Sequence, residues 1–413
     1  MTSIILFLGI LILGYISTNF IFSKIKSRYY IPSGIEHIFF GIIIGNSFAN
    51  WFNITFGTNL PQVIDRSLLA QLSPAISAAI GFVGFVYGLR FKIKNLAGTE
   101  PEHWRVFLAE LLFSLIILGG GSYLVMSYVF PGFDFISIIT ASYVIAVAGL
   151  VSSNYLVNQL AEKYKITGPV IIALKNSSQL NINFSILLFG LVFGINHIGT
   201  KEYLTVRSSE WVLIALLLAV FIGFLFFIFL AREQDENKLF VAVLGITIFT
   251  SGTAYYLNYS PLFMNFILGF VISNVSRISE KIEKSLTRMF NPLGVLIVVM
   301  AGFFWVPAGL YVFAVAAVLM IVLRYFTKIL AGKTAYITSF DKTKLCPSIG
   351  KGLLFQDIIV CSMMIDYLNV YKNPLTPIVF SAVLSSVLFY SLISFSAAKN
   401  ILVDVGEISQ ESK

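Results

Sequence analysis

Long apolar runs alternate with short charged segments along almost the whole chain of 413 residues. Hydrophobic residues make up 57% of the chain and charged residues only 12%, whereas soluble domains average about 25% charged residues. A helix of about 20 apolar residues crosses a bilayer, because each residue adds about 1.5 Å and the hydrocarbon core is roughly 30 Å thick. The pattern therefore predicts an all-α polytopic membrane protein.

The limits of these runs predict thirteen transmembrane spans, separated by charged residues or by Gly, Pro and Asn. Numbered in chain order, the spans cover about 4–22, 32–52, 68–91, 104–129, 135–156, 167–193, 210–230, 239–257, 261–275, 292–306, 309–330, 349–368 and 376–397. The first run has no basic residues before it and no cleavage site, so we expect a retained helix. Gly41 and Gly45 predict a close helix contact in span 2, and Gly81, Gly84 and Gly88 form one small-residue face of span 3.

Basic residues fall mostly in alternate loops. The loops after the odd-numbered spans carry nearly all of the loop lysines and arginines, and the opposite loops hold only Arg66, Lys201, Arg207 and Lys372. The positive-inside rule then predicts an N-out and C-in topology. This topology accounts for the net charge of +8, so nucleic-acid binding is not expected. We expect a multi-pass protein of a bacterial or archaeal inner membrane.

Neither an enzyme nor a bound cofactor is expected. The loops are short, and the tail at 399–413 is too small to be a domain. The chain has no HExxH or GxSxG motif, and Cys346 and Cys361 lack the spacing of a metal site. The only metal that the sequence leaves room for is a monovalent cation.

Polar residues fill the middle of span 6, which makes it the stretch most informative about function. The positions that carry them are Lys175, Asn176, Ser177, Ser178, Gln179, Asn181 and Asn183. Such groups are costly in hydrocarbon, so we expect them to face the interior of the bundle or a wet cavity. Two interpretations remain open: hydrogen bonds that join helices, or a solute or ion site near the midplane. The stretch contains no Asp or Glu.

Four segments resemble the monovalent cation:proton antiporters. They are LSPAISAAIGFVGFVYGLRF (72–91), AVAGLVSSNYLVNQLAE (146–162), SPLFMNFILGFVISN (260–274) and GKGLLFQDIIVCSMM (350–364), similar to the third, fifth, ninth and twelfth helices of that family. Ser152, Ser153 and Asn154 fall on the Thr-Ser-Pro that interrupts the family's fifth helix. Asp357 falls on the Glu of a Gly-Glu in the twelfth, and Arg90 replaces the Glu that closes the third.

This resemblance implies two inverted repeats, in which the fifth and twelfth helices break and cross with their half-helix ends facing an ion site. It implies a homodimer that exchanges Na⁺ or K⁺ for H⁺ across the lipid bilayer by alternating access. It also implies panel or dimer helices at about 1–97 and 239–308, core helices at about 104–195 and 309–398, and a linker helix at about 210–230. A cytoplasmic tail at 399–413 would follow.

The chain departs from the family in span 6. The family carries an Asp-Asp, Asn-Asp or Gln-Asp pair there, and its second residue alternates between proton and cation. The matching positions in this chain are Leu180 and Asn181. An asparagine cannot exchange a proton near neutral pH, although its carbonyl oxygen can coordinate a cation. The resemblance therefore predicts the scaffold more strongly than the activity.

Four carboxylates are predicted within the membrane: Glu36, Glu110, Asp357 and Asp366. Asp357 is the favoured proton carrier, because it lies mid-helix in the segment that resembles a crossing helix. Glu110 is the other candidate carrier, or else a partner in a structural ion pair. Glu36 suits a helix N-terminus, and Asp366 is expected at the membrane interface.

Three cations are predicted at membrane depth: Lys175, Arg324 and Lys328. Arg324 and Lys328 lie one turn apart on one face of span 11, and the family pairs a Lys or Arg of this helix with its site carboxylate. Lys328 could instead extend to the cytoplasmic edge. Lys175 has no counterpart in the family.

Three functions remain open. The favoured one is an antiporter with relocated proton chemistry; the others are a transporter of an anionic or polar solute, and a sensor, assembly or regulatory subunit that has lost transport. The predicted ion site comprises Ser152, Ser153, Asn154, Lys175, Gln179, Asn181, Asn183, Arg324, Lys328 and Asp357.

Overall fold

The computed structural model describes residues 34–59, 66–195, 197, 210–230, 235–276, 279–307 and 310–408, with the single positions 9 and 16. Apart from those two positions, predicted span 1 lies outside the described residues. In chain order the helices are α1 (Ile35–Ile44), α2 (Asn46–Phe56), α3 (Arg66–Arg90), α4 (Ile93–Ala97), α5 (Pro101–Val129, with a π-helical turn at Ser114–Gly119), α6 (Phe135–Leu150), α7 (Asn154–Tyr164), α8 (Pro169–Ile195), α9 (Glu210–Leu230), α10 (Glu236–Tyr256), α11 (Pro261–Val275), α12 (Ser279–Phe303), α13 (Leu310–Thr338), α14 (Ile349–Gly352), α15 (Ile358–Val370) and α16 (Thr376–Asp404).

Each of predicted spans 2 to 13 corresponds to an apolar helix or helix pair in the described part of the chain. Eight helical segments there are long and apolar enough to cross a membrane, and the bent pair α1–α2 makes nine. Three shorter apolar helices, Pro261–Val275, Pro292–Phe303 and Ile358–Val370, accompany them. The protein is an all-helical, multi-pass integral membrane protein.

Most of the helices form two groups. In the first, called the flanking group here, α1, α3, α10, α11 and α12 pack against one another. The second, called the crossing group, contains α5 to α8 and α13 to α16. The groups meet where α8 packs on α11 and where α15 packs on α3, α11 and α12. Helices α8 and α15 therefore form the boundary of the crossing group.

Glycines permit the closest helix contacts in the flanking group. A Cβ atom at Gly84 would overlap the carbonyl group of Leu262 on α11, and one at Gly41 would overlap the carbonyl group of Val299 on α12. Only glycine leaves room for backbones that approach so closely. The close contact predicted for span 2 is confirmed at Gly41, and the small-residue face of span 3 packs on α11 at Gly84.

Two predicted spans differ from the structure in shape. Span 2 is bent by 57°, because Gly45 adopts an extended backbone between α1 and α2. Span 10 is part of a longer helix, because α12 starts at Ser279, before the apolar segment Pro292–Phe303. The added segment is amphipathic and buries Ile282 and Leu286, four residues apart, against the flanking group.

Candidate functional site

Two interrupted helices of the crossing group contact each other at their breaks. The first break lies between α6 and α7, and the second lies between α14 and α15. The N–H of Ser153 donates to the carbonyl oxygen of Phe355 at 2.8 Å, and Ser152 Oγ donates to the carbonyl oxygen of Leu353 at 2.9 Å. Polar backbone groups that a continuous helix would use internally are thus satisfied across the crossing.

Side chains at the breaks cap the helices that follow. Ser153 Oγ accepts a hydrogen bond from the N–H of Tyr155 at 3.1 Å and starts α7, and Asp357 accepts one from the N–H of Ile359 at 3.2 Å and starts α15. Ser153 Oγ also donates to the carboxylate of Asp357. The prediction of a mid-helix position for Asp357 was wrong, because the helix begins only at Ile358.

Arg324 of α13 binds the carbonyl groups at both breaks. Its guanidinium donates to the carbonyl oxygens of Gly149 at 3.1 Å, Val151 at 2.9 Å and Leu354 at 2.7 Å. The side chain is fully buried and lies over the ring of Tyr390, 4.7 Å from its centroid. A cation is favourable here, because the last carbonyl groups of a helix carry partial negative charge and lack intrahelical partners.

Lys328 lies one turn farther along α13 and forms an ion pair with Glu110 of α5. Its ammonium group donates to Glu110 Oε2 at 2.9 Å, to the carbonyl oxygen of Leu150 at 2.9 Å and to Ser152 Oγ at 2.7 Å. Both charged side chains are 1% exposed. Lys328 therefore points into the bundle and does not extend to the cytoplasmic edge.

Asn181 of α8 completes this cluster. Its Nδ2 donates to Glu110 Oε2 and, at 3.2 Å, to Ser152 Oγ. Two buried oxygens, Glu110 Oε1 and Asn181 Oδ1, have no hydrogen-bond partner among the described residues. Unpartnered buried oxygens are rare in native structures, and they are the atoms that bind a dehydrated cation.

Three other predicted site residues form an amide chain beside this cluster. Asn154 Nδ2 donates to Gln179 Oε1 at 2.8 Å, and Gln179 Nε2 donates to Asn183 Oδ1 at 3.1 Å. Lys175 is exposed, so the structure does not bring it into the buried cluster. The polar stretch of α8 thus contains both interhelical hydrogen bonds and a residue of the ion-pair cluster.

Glu110 was missing from the predicted site, although it was recognised as a candidate carrier. Its position in the sequence could not reveal its partner, because Lys328 is 218 residues away. Asp366, which was predicted at the membrane interface, has a buried side chain. The N-terminus of α11 covers it, through Ser260 and Leu262.

No known family model matches the sequence, and no curated protein matches it either. The solved structures that match include two that cover nearly the whole chain. One is the sodium proton antiporter MjNhaP1 from Methanocaldococcus jannaschii at pH 8, with a TM-score of 0.67, 15% identity, and coverage of 98% of this chain and 99% of the other. The other is an electron-microscopy map of the same antiporter, with a TM-score of 0.63, 13% identity, and coverage of 96% and 97%.

The chain has the fold of a sodium proton antiporter. The resemblance seen in four short segments is therefore confirmed as a likeness of fold in a chain of very different sequence. Which ion moves, and through which residues, does not follow from likeness of fold.

Proposed function

We propose that this protein exchanges a monovalent cation, Na⁺ or K⁺, for protons by alternating access, with Glu110 as the carboxylate of the ion site. The observation that carries the proposal is the buried ion pair of Glu110 and Lys328 at the crossing of two broken helices. A carboxylate at this place supplies the negative charge that the asparagine at position 181 lacks. The antiporter fold supports the same class of transport.

The ammonium group of Lys328 occupies a set of oxygens suited to a monovalent cation. It contacts a carboxylate oxygen, a carbonyl oxygen and a hydroxyl oxygen within 2.9 Å. A desolvated cation at Glu110 competes with this ammonium, because one carboxylate cannot balance two buried positive charges. Binding of the cation is thus linked to displacement of Lys328, and a proton on Glu110 excludes both.

Asn181 holds the Glu110 carboxylate in place through Nδ2, and its free Oδ1 is available to the cation. The second candidate carrier is Asp357, which lies at the same crossing and contacts Ser153. We assign Asp357 the role of holding the two breaks together, because its oxygens accept bonds from Ser153 and from the first turn of α15.

The resemblance also suggests how the helices move. We propose that the flanking group is the dimerisation panel, and that the crossing group is the core that moves against it. Support comes from the packing, since most contacts lie within a group and α8 and α15 provide the boundary. We expect a homodimer in the lipid bilayer on the basis of the fold alone.

The test is proton flux in proteoliposomes, measured with a pH-sensitive dye under imposed Na⁺ or K⁺ gradients. We expect cation-dependent proton movement in the wild type, abolished by Glu110→Gln and weakened by Asp357→Asn. Glu102→Gln is the matched control, because Glu102 is also buried and lies on the same helix, outside the cluster. Flux that survives Glu110→Gln but disappears with Asp357→Asn would move the carrier role to Asp357.

A transport-inactive membrane subunit is the second candidate. Two observations favour it. Asn181 occupies the position where the family has its titrating Asp, and the Lys328 ammonium already binds the Glu110 carboxylate and Ser152 in place of a bound cation. A silent wild type, in liposomes shown to be tight and correctly loaded, would support it over exchange. The anionic-solute hypothesis has less support, because Arg324 uses its donors on carbonyl groups and Lys175 is exposed.

A further inference from the structure

An open cavity of about 940 Å³ lies between the two helix groups. Its lining includes Tyr255 and Asn258 of the flanking group and Leu368, Asn369 and Lys372 of the crossing group. These residues belong to the ends of spans 8 and 12, which the charge pattern places on the outer face. The cavity therefore leads inward along the boundary between the groups.

One face of α15 connects this cavity with the crossing of the broken helices. Ser362, Asp366 and Asn369 recur at intervals of four and three residues, so their side chains lie on one face of the helix. Each carries a buried polar atom without a hydrogen-bond partner among the described residues: Ser362 Oγ, Asp366 Oδ1 and Asn369 Nδ2. Asn369 lines the cavity, and Ser362 lies nearer to the start of α15, at the crossing. We call these three residues the polar stripe.

The flanking group closes the polar stripe at Asp366. Ser260 Oγ donates to Asp366 Oδ2 at 2.5 Å, and the N–H of Leu262 lies 3.4 Å from the same oxygen. Asp366 and Ser260 are 1% and 0% exposed. The contact lies just beyond the cavity, because Asn258 precedes Ser260 by two residues and Leu368 follows Asp366 by two.

This contact must break when the groups move apart. It joins a carboxylate of the crossing group to the N-terminus of α11 in the flanking group, where partial positive charge favours an anion. A carboxylate that loses such donors while buried needs another partner. A cation that enters along the stripe is such a partner, and the unpartnered Asp366 Oδ1 is available to it.

We propose that the polar stripe is the outer ion pathway, and that Asp366 binds the monovalent cation along it while Ser260 closes it. The proposal rests on the exchange function proposed above. It assigns Asp366 a role distinct from that of Glu110, since Asp366 controls access from the outer cavity and Glu110 holds the ion at the crossing.

The test measures how fast a membrane-impermeant methanethiosulfonate reagent, added from outside, labels Ser362→Cys. The Ser362→Cys variant also carries Cys346→Ser and Cys361→Ser, so that the reagent meets no other cysteine. Its labelling rate is compared with and without Asp366→Asn. We expect labelling about tenfold faster when Asp366 is neutral. Loss of a hydrogen bond to a charged group changes the equilibrium constant for opening by about one to two orders of magnitude. Replacing choline by Na⁺ or K⁺ is expected to slow labelling only when Asp366 is present.

The matched control is a second variant that keeps native Cys361 and Ser362 and carries only Cys346→Ser, with or without Asp366→Asn. Cys361 is buried on the same helix, next to Ser362 but about 100° away around its axis, and Asp366→Asn is expected to leave its labelling unchanged. An unchanged rate at Ser362→Cys in a folded Asp366→Asn protein would overturn the proposal, and so would an equal rise at Cys361. If Asp366→Asn does not fold, Ser260→Ala removes the closing donor and must give the same acceleration.

Labelling does not depend on transport, so the two proposals can fail separately. A wild type without flux that still shows this labelling pattern, including the cation effect, would overturn exchange alone. Normal flux together with a labelling rate that neither Asp366→Asn nor Ser260→Ala changes would overturn the outer pathway alone.

Discussion

Two Lys–Glu ion pairs differ chiefly in their access to water. The inner pair joins α5 to α13, and the outer pair joins the residue that precedes α5 to the loop after α13. Lys328 Nζ lies 2.9 Å from Glu110 Oε2, with both side chains 1% exposed. Lys344 Nζ lies 2.8 Å from Glu100 Oε2, with side chains 36% and 46% exposed. Water and salt screen the outer pair, so it contributes little. In the inner pair each buried charge depends on the other.

The outer pair shows what such a contact does when it has no further role. The hydrogen bond with Lys344 lowers the pKa of Glu100 and raises the pKa of Lys344. Because the pKa of Glu100 lies below its ordinary value of 4.5, the pair stabilises the fold above that pH and loses this effect as the pH falls through the folded value. Distance alone therefore does not identify a functional pair; burial and the surrounding oxygens do.

Breaking the inner pair is expected to have the largest effect. Glu110→Gln leaves the ammonium of Lys328 buried without its anion, which costs about 3–5 kcal/mol for a pair of this kind. The measurement is thermal unfolding in detergent, with Glu102→Gln as control. A Glu110→Gln protein as stable as the wild type would show that the two pairs do not differ as we infer.

Removing both charges separates folding from function. Glu110→Gln combined with Lys328→Met leaves no unpaired charge, so we expect it to recover most of the stability that Glu110→Gln alone loses. Flux is expected to stay absent, because the ion site has lost its carboxylate. Recovered flux in the double variant would mean that the pair is only structural.

Adding a carboxylate to the inner site tests the role of Asn181. Asn181→Asp places a second acid beside Glu110 and Ser152, whose oxygens accept hydrogen bonds from the Asn181 amide in the wild type. We expect a new or stronger pH-dependent cation response, because two neighbouring carboxylates share protons and attract a cation. Cation binding and flux across a pH series provide the measurement. No change in either would contradict the site assignment at Asn181.

The smallest effect is expected at the outer pair. Lys344→Ala should leave flux unchanged and shift the unfolding temperature by no more than the error of measurement at physiological salt. A larger shift that vanishes in high salt would still agree with screening. A loss of transport would show that solvent exposure does not separate the two pairs.

Sequence periodicity located the helices well but could not pair them. Each of spans 2 to 13 corresponds to described helices, because about 20 apolar residues in a row suit only a membrane or a large core. The polar middle of span 6 does not form one unit, because Lys175 is exposed whereas Asn181 is buried in the cluster. Sequence spacing gives the face of a residue on its own helix, and packing decides which helix that face meets.

The surroundings of two acids show the same limit. Asp357 was expected in the middle of a helix, whereas it caps α15, which starts only at Ile358. Asp366 was expected at the membrane interface, and its partner Ser260 is 106 residues away in the sequence. A break stabilised by Arg324, Ser152 and Ser153 from other helices leaves little trace in local propensity.

Hydropathy and the length of the apolar runs are enough to identify a multi-pass helical membrane protein, because both act locally and need no knowledge of the fold. The sequence motifs also indicated the antiporter scaffold. The contacts of Glu110 with Lys328 and of Asp366 with Ser260 follow only from the packing of the helices. These partners come from helices distant in sequence, and the energy of a buried charge depends on the atoms around it.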